Sequence, residues 1–437
     1  MSSPLLQPRP VWSIRLILIG LVAITASLPM AWISLAKVLL FVSSGVYLIA
    51  GHYNKRADTA FDRLWTAPVV LAILIAFSLS LLWTDASLET GLLAFVKHGK
   101  LLEILLLVSL IRTVHEARIG MTAFAIGQIF LLLSSWLLVM GIPLPWVTAH
   151  GMGSEYVVFS SYLDQSIIFA TTAAIFWHLR SDHLWRRWLG GLLAAAALIN
   201  VLLLLEARTG YAVALTILSL SVMWAMPKRL RFAALISTPI LVLFALYLGS
   251  PQVHDRLSKI IHESQTYATQ DEIDNARGLG ESSSELRLNA WRRSVQAIEE
   301  NPWLGHGVGS WTMAVERLEG LSGAMILGPV KIRNPHQEYL LWGVELGAGG
   351  TLLLLLLILC LVRDARQFDP PIARATLSVV AAMAVACLFN SALYDGLIGD
   401  FFCVTLGLLM ALGLRTSSSR SDKAAPAPEL VQLKVVT

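Results

Sequence analysis

Charge is scarce in this sequence. Only 14% of its 437 residues are Asp, Glu, Lys or Arg, against 56% hydrophobic, and the mean hydropathy is +0.67, far above that of soluble domains. That scarcity excludes an ordinary water-soluble chain and leaves a polytopic membrane protein. Cysteine is rarer still: Cys360, Cys387 and Cys403 all fall inside apolar runs, so no disulfide framework or zinc spacing is available. The chain has no Walker A loop, no G-x-G-x-x-G after a strand, no H-E-x-x-H and no C-x-x-C. Paired aspartates of the D-x-D kind are missing from the hydrophilic connections. These absences favour a site without metal or cofactor. No internal repeat is evident either, which removes the inverted-repeat argument for a secondary transporter.

What fills the chain is apolar windows of about 17 to 25 residues, enough to cross roughly 30 Å of hydrocarbon. Window reading gives about twelve: 14–29, 31–50, 65–83, 90–112, 119–141, 160–180, 187–206, 210–226, 231–249, 337–362, 371–394 and 397–415. The first also has the outline of a signal peptide, and the fourth carries Lys97, His98, Lys100 and Glu103. The expected fold is therefore all-α, with about twelve transmembrane helices and one large outer loop of helical character between the ninth and tenth. On this reading 1–249 holds helices one to nine, 250–336 the loop domain, 337–415 helices ten to twelve and 416–437 a disordered tail.

Basic residues collect in alternate connections: Arg9 and Arg15; Lys55, Arg56 and Arg63; Arg112 and Arg118; Arg180, Arg186 and Arg187; Lys228, Arg229 and Arg231; Arg363, Arg366 and Arg374; and Arg415, Arg420 and Lys423. By the positive-inside rule those connections and both termini are cytoplasmic. Their position at membrane borders also argues against nucleic acid as the reason for a pI near 9.0. The long loop breaks the alternation, as long translocated loops do. Within it, "PQVHDRLSKIIHES" and "SSELRLNAWRRSVQAIEENPWLGHG" have helical spacing of apolar residues, and "QTYATQDEIDNARGLGESS" reads as a mobile connection.

This topology gives three residues one address on the outer face: Arg208, Arg287 and His336. Arg208 stands alone on an otherwise Arg-poor surface, as a ligand-binding group or as a snorkelling interface residue. Arg287, beside Glu285, reads by itself as a solvated or ion-paired helix residue. His336 ends the loop at the start of a span, where a neutral imidazole can act as a base or simply sit at the interface. Glu345, further along the same helix, orients an inward group or packs. Lys37, Lys97 and Lys100 lie near the outer ends of the second and fourth spans, with Lys97 and Lys100 on one face. Lysines there without acidic partners are costly, so they either snorkel or meet an anionic ligand such as a phosphate or pyrophosphate.

The stretch "HQEYLLWGVELGAGG" then carries a resemblance. His336 and Gln337, nine residues, Gly347, two residues and Gly350 resemble the pattern of O-antigen ligases, within the group that includes O-antigen polymerases and some oligosaccharyltransferases. "EARTG" around Arg208 and "SSELRLNAWRRSVQAIEENPWLGHGVGSW" around Arg287 are similar to the family's two arginine regions. Gln337 stands where relatives frequently have Asn, and the amide is kept. The resemblance covers the second half of the chain; the first half matches only in hydropathy.

The resemblance implies a bacterial inner-membrane enzyme with its active site toward the periplasm. It would move O-antigen polysaccharide from undecaprenyl pyrophosphate to the lipid A-core oligosaccharide, without metal and with inversion at the anomeric carbon. His336 would be the base and Arg208 and Arg287 the pyrophosphate ligands. Lys37, Lys97, Lys100, Gln337 and Glu345 are further candidates for the substrate site, and Asp395 and Glu285 are alternative proton acceptors or orienters at that face. A polymerase, a protein oligosaccharyltransferase using the same donor, and a transporter are the competing functions.

Overall fold

The computed structural model describes residues 14–53, 63–147, 156–180, 184–205, 207–249, 283–322 and 333–424. The expected first loop helix and mobile connection, in 250–282, and the last part of the tail, 425–437, lie outside the described residues.

Every apolar window becomes helix, because in hydrocarbon the backbone must satisfy its own polar groups. The first nine windows give α1 (Ile14–Thr25), α2 (Met30–Tyr53), α3 (Thr66–Ser80), α4 (Leu88–His98) with α5 (Leu102–Leu110), α6 (Val114–Val139), α7 (Tyr162–His178), α8 (Leu184–Ile199), α9 (Arg208–Ala225) and α10 (Arg231–Gly249). The long connection between the ninth and tenth windows supplies α11 (Ser283–Glu300) and α12 (Trp311–Ser322), and the last three windows α13 (Glu338–Ala365), α14 (Pro370–Phe389) and α15 (Gly396–Ala424). No strand occurs among the described residues. By length and composition six helical stretches there are able to cross a membrane: Val114–Val139, Arg187–Leu204, Lys228–Leu248, Glu338–Ala365, Pro370–Phe389 and Gly396–Ser417. The helices Ile14–Thr25 and Thr66–Ser80 and the stretch Met30–Val46 are apolar but shorter.

Two departures from the sequence reading matter. The fourth window is not one helix: a 3-10 turn at Gly99–Leu101 splits it into α4 and α5, at the point where Lys97, His98 and Lys100 cluster. In addition α15 continues to Ala424, past residue 416 where the tail was expected to begin.

The bundle is organised around α15, whose apolar window is wholly buried and is contacted by α1, α2, α5, α6, α7, α13 and α14. At the other extreme α10 packs on α9 and is almost entirely exposed. Helix starts are written in the sequence. Thr113 and Glu116 form a reciprocal capping box on α6, Ser87 and Ser161 cap α4 and α7, and Pro370 and Pro371 open α14.

Candidate functional site

The N-terminal ends of α7, α9, α13 and α15 and the C-terminal end of α14 form the neighbourhood of His336. Residues 333–337 lead into α13, and Gln337 caps that helix by accepting from the Leu340 N–H. His336 has φ of 50°, a left-handed conformation that costs about 1–2 kcal/mol for a side chain of this size. A local network holds it: the His336 N–H donates to Asn334 Oδ1 at 2.9 Å, and Ser391 Oγ donates to the same oxygen at 3.1 Å.

The imidazole then faces Asn390, with Nδ1 3.3 Å from Oδ1. That oxygen also accepts from the Ser391 N–H at 3.0 Å, which identifies it as the carbonyl end of the amide. Nδ1 must therefore carry the proton and, in the neutral ring, Nε2 keeps its lone pair. The amide N–H2 of Asn390 is turned to Asp395. Burial pushes the Asp395 carboxyl above its usual range, opposed by the nearby charges of His336, Lys100 and Lys97 and by the Asn390 hydrogen bond. The order His336, Asn390, Asp395 is thus a polar chain behind the imidazole.

Both arginines come to this neighbourhood. Arg208 begins α9, and a Cβ on Gly210 would lie 2.3 Å from Ser166 Oγ, so only glycine lets this turn close against the first turn of α7. Arg287 is half-buried on α11. Burial holds its guanidinium below its ordinary value, Tyr162 opposes that, and Arg208 adds to it. Two guanidinium groups therefore act on each other beside Tyr162. One helical turn beyond Arg287, Trp291 Nε1 donates to Pro335 O at 3.0 Å, tying α11 to the residue before His336. Asp164, near the start of α7, is within electrostatic reach of Asp395.

The other sequence candidates divide. Lys97 Nζ stands 4.1 Å from the centre of the Tyr394 ring, on the exposed side, close to Arg333 and Asp395. Lys100 is buried and donates to the carbonyl of Asp395, with Asp400 Oδ1 at 3.9 Å. Lys37 donates to Asp400 Oδ2 at 2.7 Å and has Glu103 at 3.9 Å. The counter-charge that sequence reading sought in a ligand is therefore inside the bundle for Lys37 and Lys100. Glu345 is likewise 1% exposed, paired with His98 Nε2 at 2.9 Å and accepting from the Gly309 N–H at 2.8 Å. It fastens α13 to α4 and the 305–310 turn, and its charge reaches Tyr394 and Lys97. The side chain of Glu285 lies outside the described set.

Sequence reading missed Asn334, Asn390 and Arg333. Arg333, in "KIRNPHQ", was three residues from the histidine and could have been found by that proximity. Asn390, in "LFNSALYDG", gave no signal, since it meets His336 only through the fold. Among the described residues no three His, Cys, Asp or Glu side chains are grouped as metal ligands.

With this geometry in view, residues 193–355 match the family model for O-antigen ligase. The matched stretch contains Arg208, Arg287, His336, Gln337 and Glu345 and ends beyond the α13 glycines, while Asn390 and Asp395 lie outside it. No curated protein matches the chain.

Proposed function

From the match of residues 193–355 to the O-antigen ligase family model, a family whose members are membrane enzymes acting on lipid-linked polysaccharides, we propose that this protein is the ligase itself. It transfers O-antigen polysaccharide from undecaprenyl pyrophosphate to the lipid A-core oligosaccharide at the periplasmic face of the inner membrane. The twelve helical windows then all cross, both termini are cytoplasmic, and residues 250–336 form the outer loop.

The observation that carries the reading is the orientation of His336. With Nδ1–H directed at Asn390, Nε2 is the ring atom left to take a proton from the acceptor sugar hydroxyl. As that proton moves to Nε2, the hydroxyl oxygen bonds to the anomeric carbon. The bond from that carbon to the pyrophosphate oxygen breaks, and its electron pair leaves with the phosphate. Attack from the side opposite the leaving group inverts the anomeric centre. Arg208 and Arg287 sit where the departing negative charge needs fixed donors. The α13 N-terminus contributes less than a bare helix end would. Gln337 already occupies one of its N–H groups, and the Glu338 carboxylate sits in its first turn, accepting from Leu393 and Tyr394 N–H at 3.0 and 3.2 Å.

The test is reconstitution of the purified protein with undecaprenyl-pyrophosphate glycan and rough lipopolysaccharide in EDTA, beside His336→Ala, following both lipids by gel shift. Glycan should appear on the lipid A-core with the wild type alone. Lengthening of the undecaprenyl-linked glycan instead would make the protein a polymerase, and an unchanged pair of lipids would remove the enzymatic reading.

A further inference from the structure

The helices that bring the His336 site together also end at a second basic place. The site uses the first turns of α7 and α9 and the end of α14. Their opposite ends, the last turns of α7 and α9 and the first turn of α14, line a cavity of about 340 Å³ together with the start of α8. Because α7, α9 and α14 pack against one another, this cavity lies at the opposite end of these helices from His336.

Its lining is Arg180, Arg187 and Arg374 with His178 and Ser221, walled by Trp177, Trp224, Ala225 and Pro371. No carboxylate is among them. The charges are close enough to matter to one another: Arg374 and Arg180 both act on His178, and Arg187 acts on Arg180. Arg180 is partly satisfied, donating to the Trp177 carbonyl at 2.6 Å with its guanidinium 3.8 Å over that indole. His178 Nε2 is buried with no hydrogen-bond partner, its ring set edge-on to Trp224 at 5.2 Å. Three guanidinium groups, a buried ring nitrogen without a hydrogen-bond partner and a hydroxyl thus line one concave space. The neighbouring Trp188 is 71% exposed, an indole at the level where lipid headgroups meet water.

We propose that this cavity binds a phosphate-bearing anion, with Arg187 and Arg374 as its principal ligands and His178 and Ser221 completing the hydrogen bonds. Basic cavities between transmembrane helices recognise phospholipid headgroups by this chemistry. Ordinary positive-inside residues would be dispersed around the helix ends; here they converge on one space lined also by His178, whose ring nitrogen is buried. The inference does not depend on the reaction assigned to His336.

The experiment is native mass spectrometry of the full chain in detergent, titrated with phosphatidylglycerol or phosphatidylcholine, for the wild type and the double variant Arg187→Gln/Arg374→Gln. Phosphatidylglycerol should bind in preference to the zwitterionic lipid. The double variant should bind it about thirtyfold more weakly, each lost charge weighing about fivefold. A parallel arm adds inorganic phosphate. Displacement of phosphatidylglycerol at millimolar phosphate would identify a soluble phosphate as an equal occupant, and no displacement would identify the lipid. Equal binding of both lipids, or phosphatidylglycerol binding unchanged in the variant, would overturn the proposal. Should the double variant fail gel filtration, the single variants carry the same test at about fivefold each.

Discussion

At the scale of single residues, the informative one is Asn390, whose carbonyl fixes the imidazole tautomer and whose amide faces Asp395. Replacing it with Ala leaves Nδ1 without its acceptor and lets the ring turn. We expect kcat to fall about tenfold to a hundredfold, the usual cost of removing a histidine's orienting partner, with the donor KM little changed. An unaltered kcat would show that His336 is oriented by something else. Arg287→Ala should cost about a hundredfold or more in kcat if the guanidinium meets the leaving phosphate. Arg287→Lys should recover little, because an ammonium does not reproduce the planar fork; full activity with Lys would reduce the residue to a point charge. Asp395 offers a pH handle. Its carboxyl is raised by burial, so the protonated form is favoured in the fold, and the stability this brings is complete below its unfolded pKa of about 4 and lost as pH rises through the folded value. Asp395→Asn should therefore melt progressively closer to, or above, the wild type as pH increases from that point. A constant gap between the two melting temperatures would count against the assignment. His336 and Arg208 stood out in the sequence as ionisable residues beside apolar runs, whereas Arg287, in a charged amphipathic segment, drew attention only through the family resemblance. Asn390 was not, since a polar residue in a short connection between helices is unremarkable until the fold shows what it faces.

At the scale of elements, the two glycines after the histidine have a physical explanation that their spacing alone does not give. Gly347 breaks α13 with φ of 65°, and two carbonyls and one N–H thereby released are taken up by the 302–307 turn. The His306 N–H donates to Val344 O at 2.8 Å, the Gly307 N–H to Glu345 O at 2.9 Å, and the Ala348 N–H to Pro302 O at 2.8 Å. The turn comes so close that a Cβ on Gly347 would lie 2.6 Å from the Trp303 carbonyl carbon, and at the break itself a Cβ on Gly350 would lie 2.2 Å from Trp342 O in the preceding part of α13. Gly347→Ala meets both a forbidden conformation and a backbone collision, so we expect a loss of at least about 2 kcal/mol, read as a lower melting temperature in detergent. A wild-type melting temperature would mean that the break is dispensable. Helix positions were legible because hydrophobic length governs them. The split between α4 and α5 was not, because hydropathy sums over a window and does not register a turn of one residue triplet at Gly99–Leu101.

At the scale of the whole molecule, the loop behind His336 is tied to a group of charged side chains inside the bundle, buried except for the half-buried Lys37. Lys37 on α2, Lys100 in the 3-10 turn after α4, Glu103 on α5 and Asp400 on α15 form a set of two cations and two carboxylates. Lys100 also holds the Asp395 carbonyl, which links this set to the loop behind His336. If these lysines serve the fold, removing one member leaves an uncompensated charge in a low-dielectric interior, whereas removing an opposed pair leaves none. Lys37→Met and Asp400→Asn should each destabilise by about 3 kcal/mol, and the double variant should regain most of that loss. Donor KM in the double variant should stay near the wild-type value, because Lys37 would have no contact with the pyrophosphate. A different result, with additive destabilisation and a KM raised by Lys37→Met alone, would return Lys37 to the substrate. The sequence placed the lysines near the ends of apolar windows but could not show their partners, since Lys37 and Asp400 are 363 residues apart and adjoin only when α15 is threaded through the centre of the bundle.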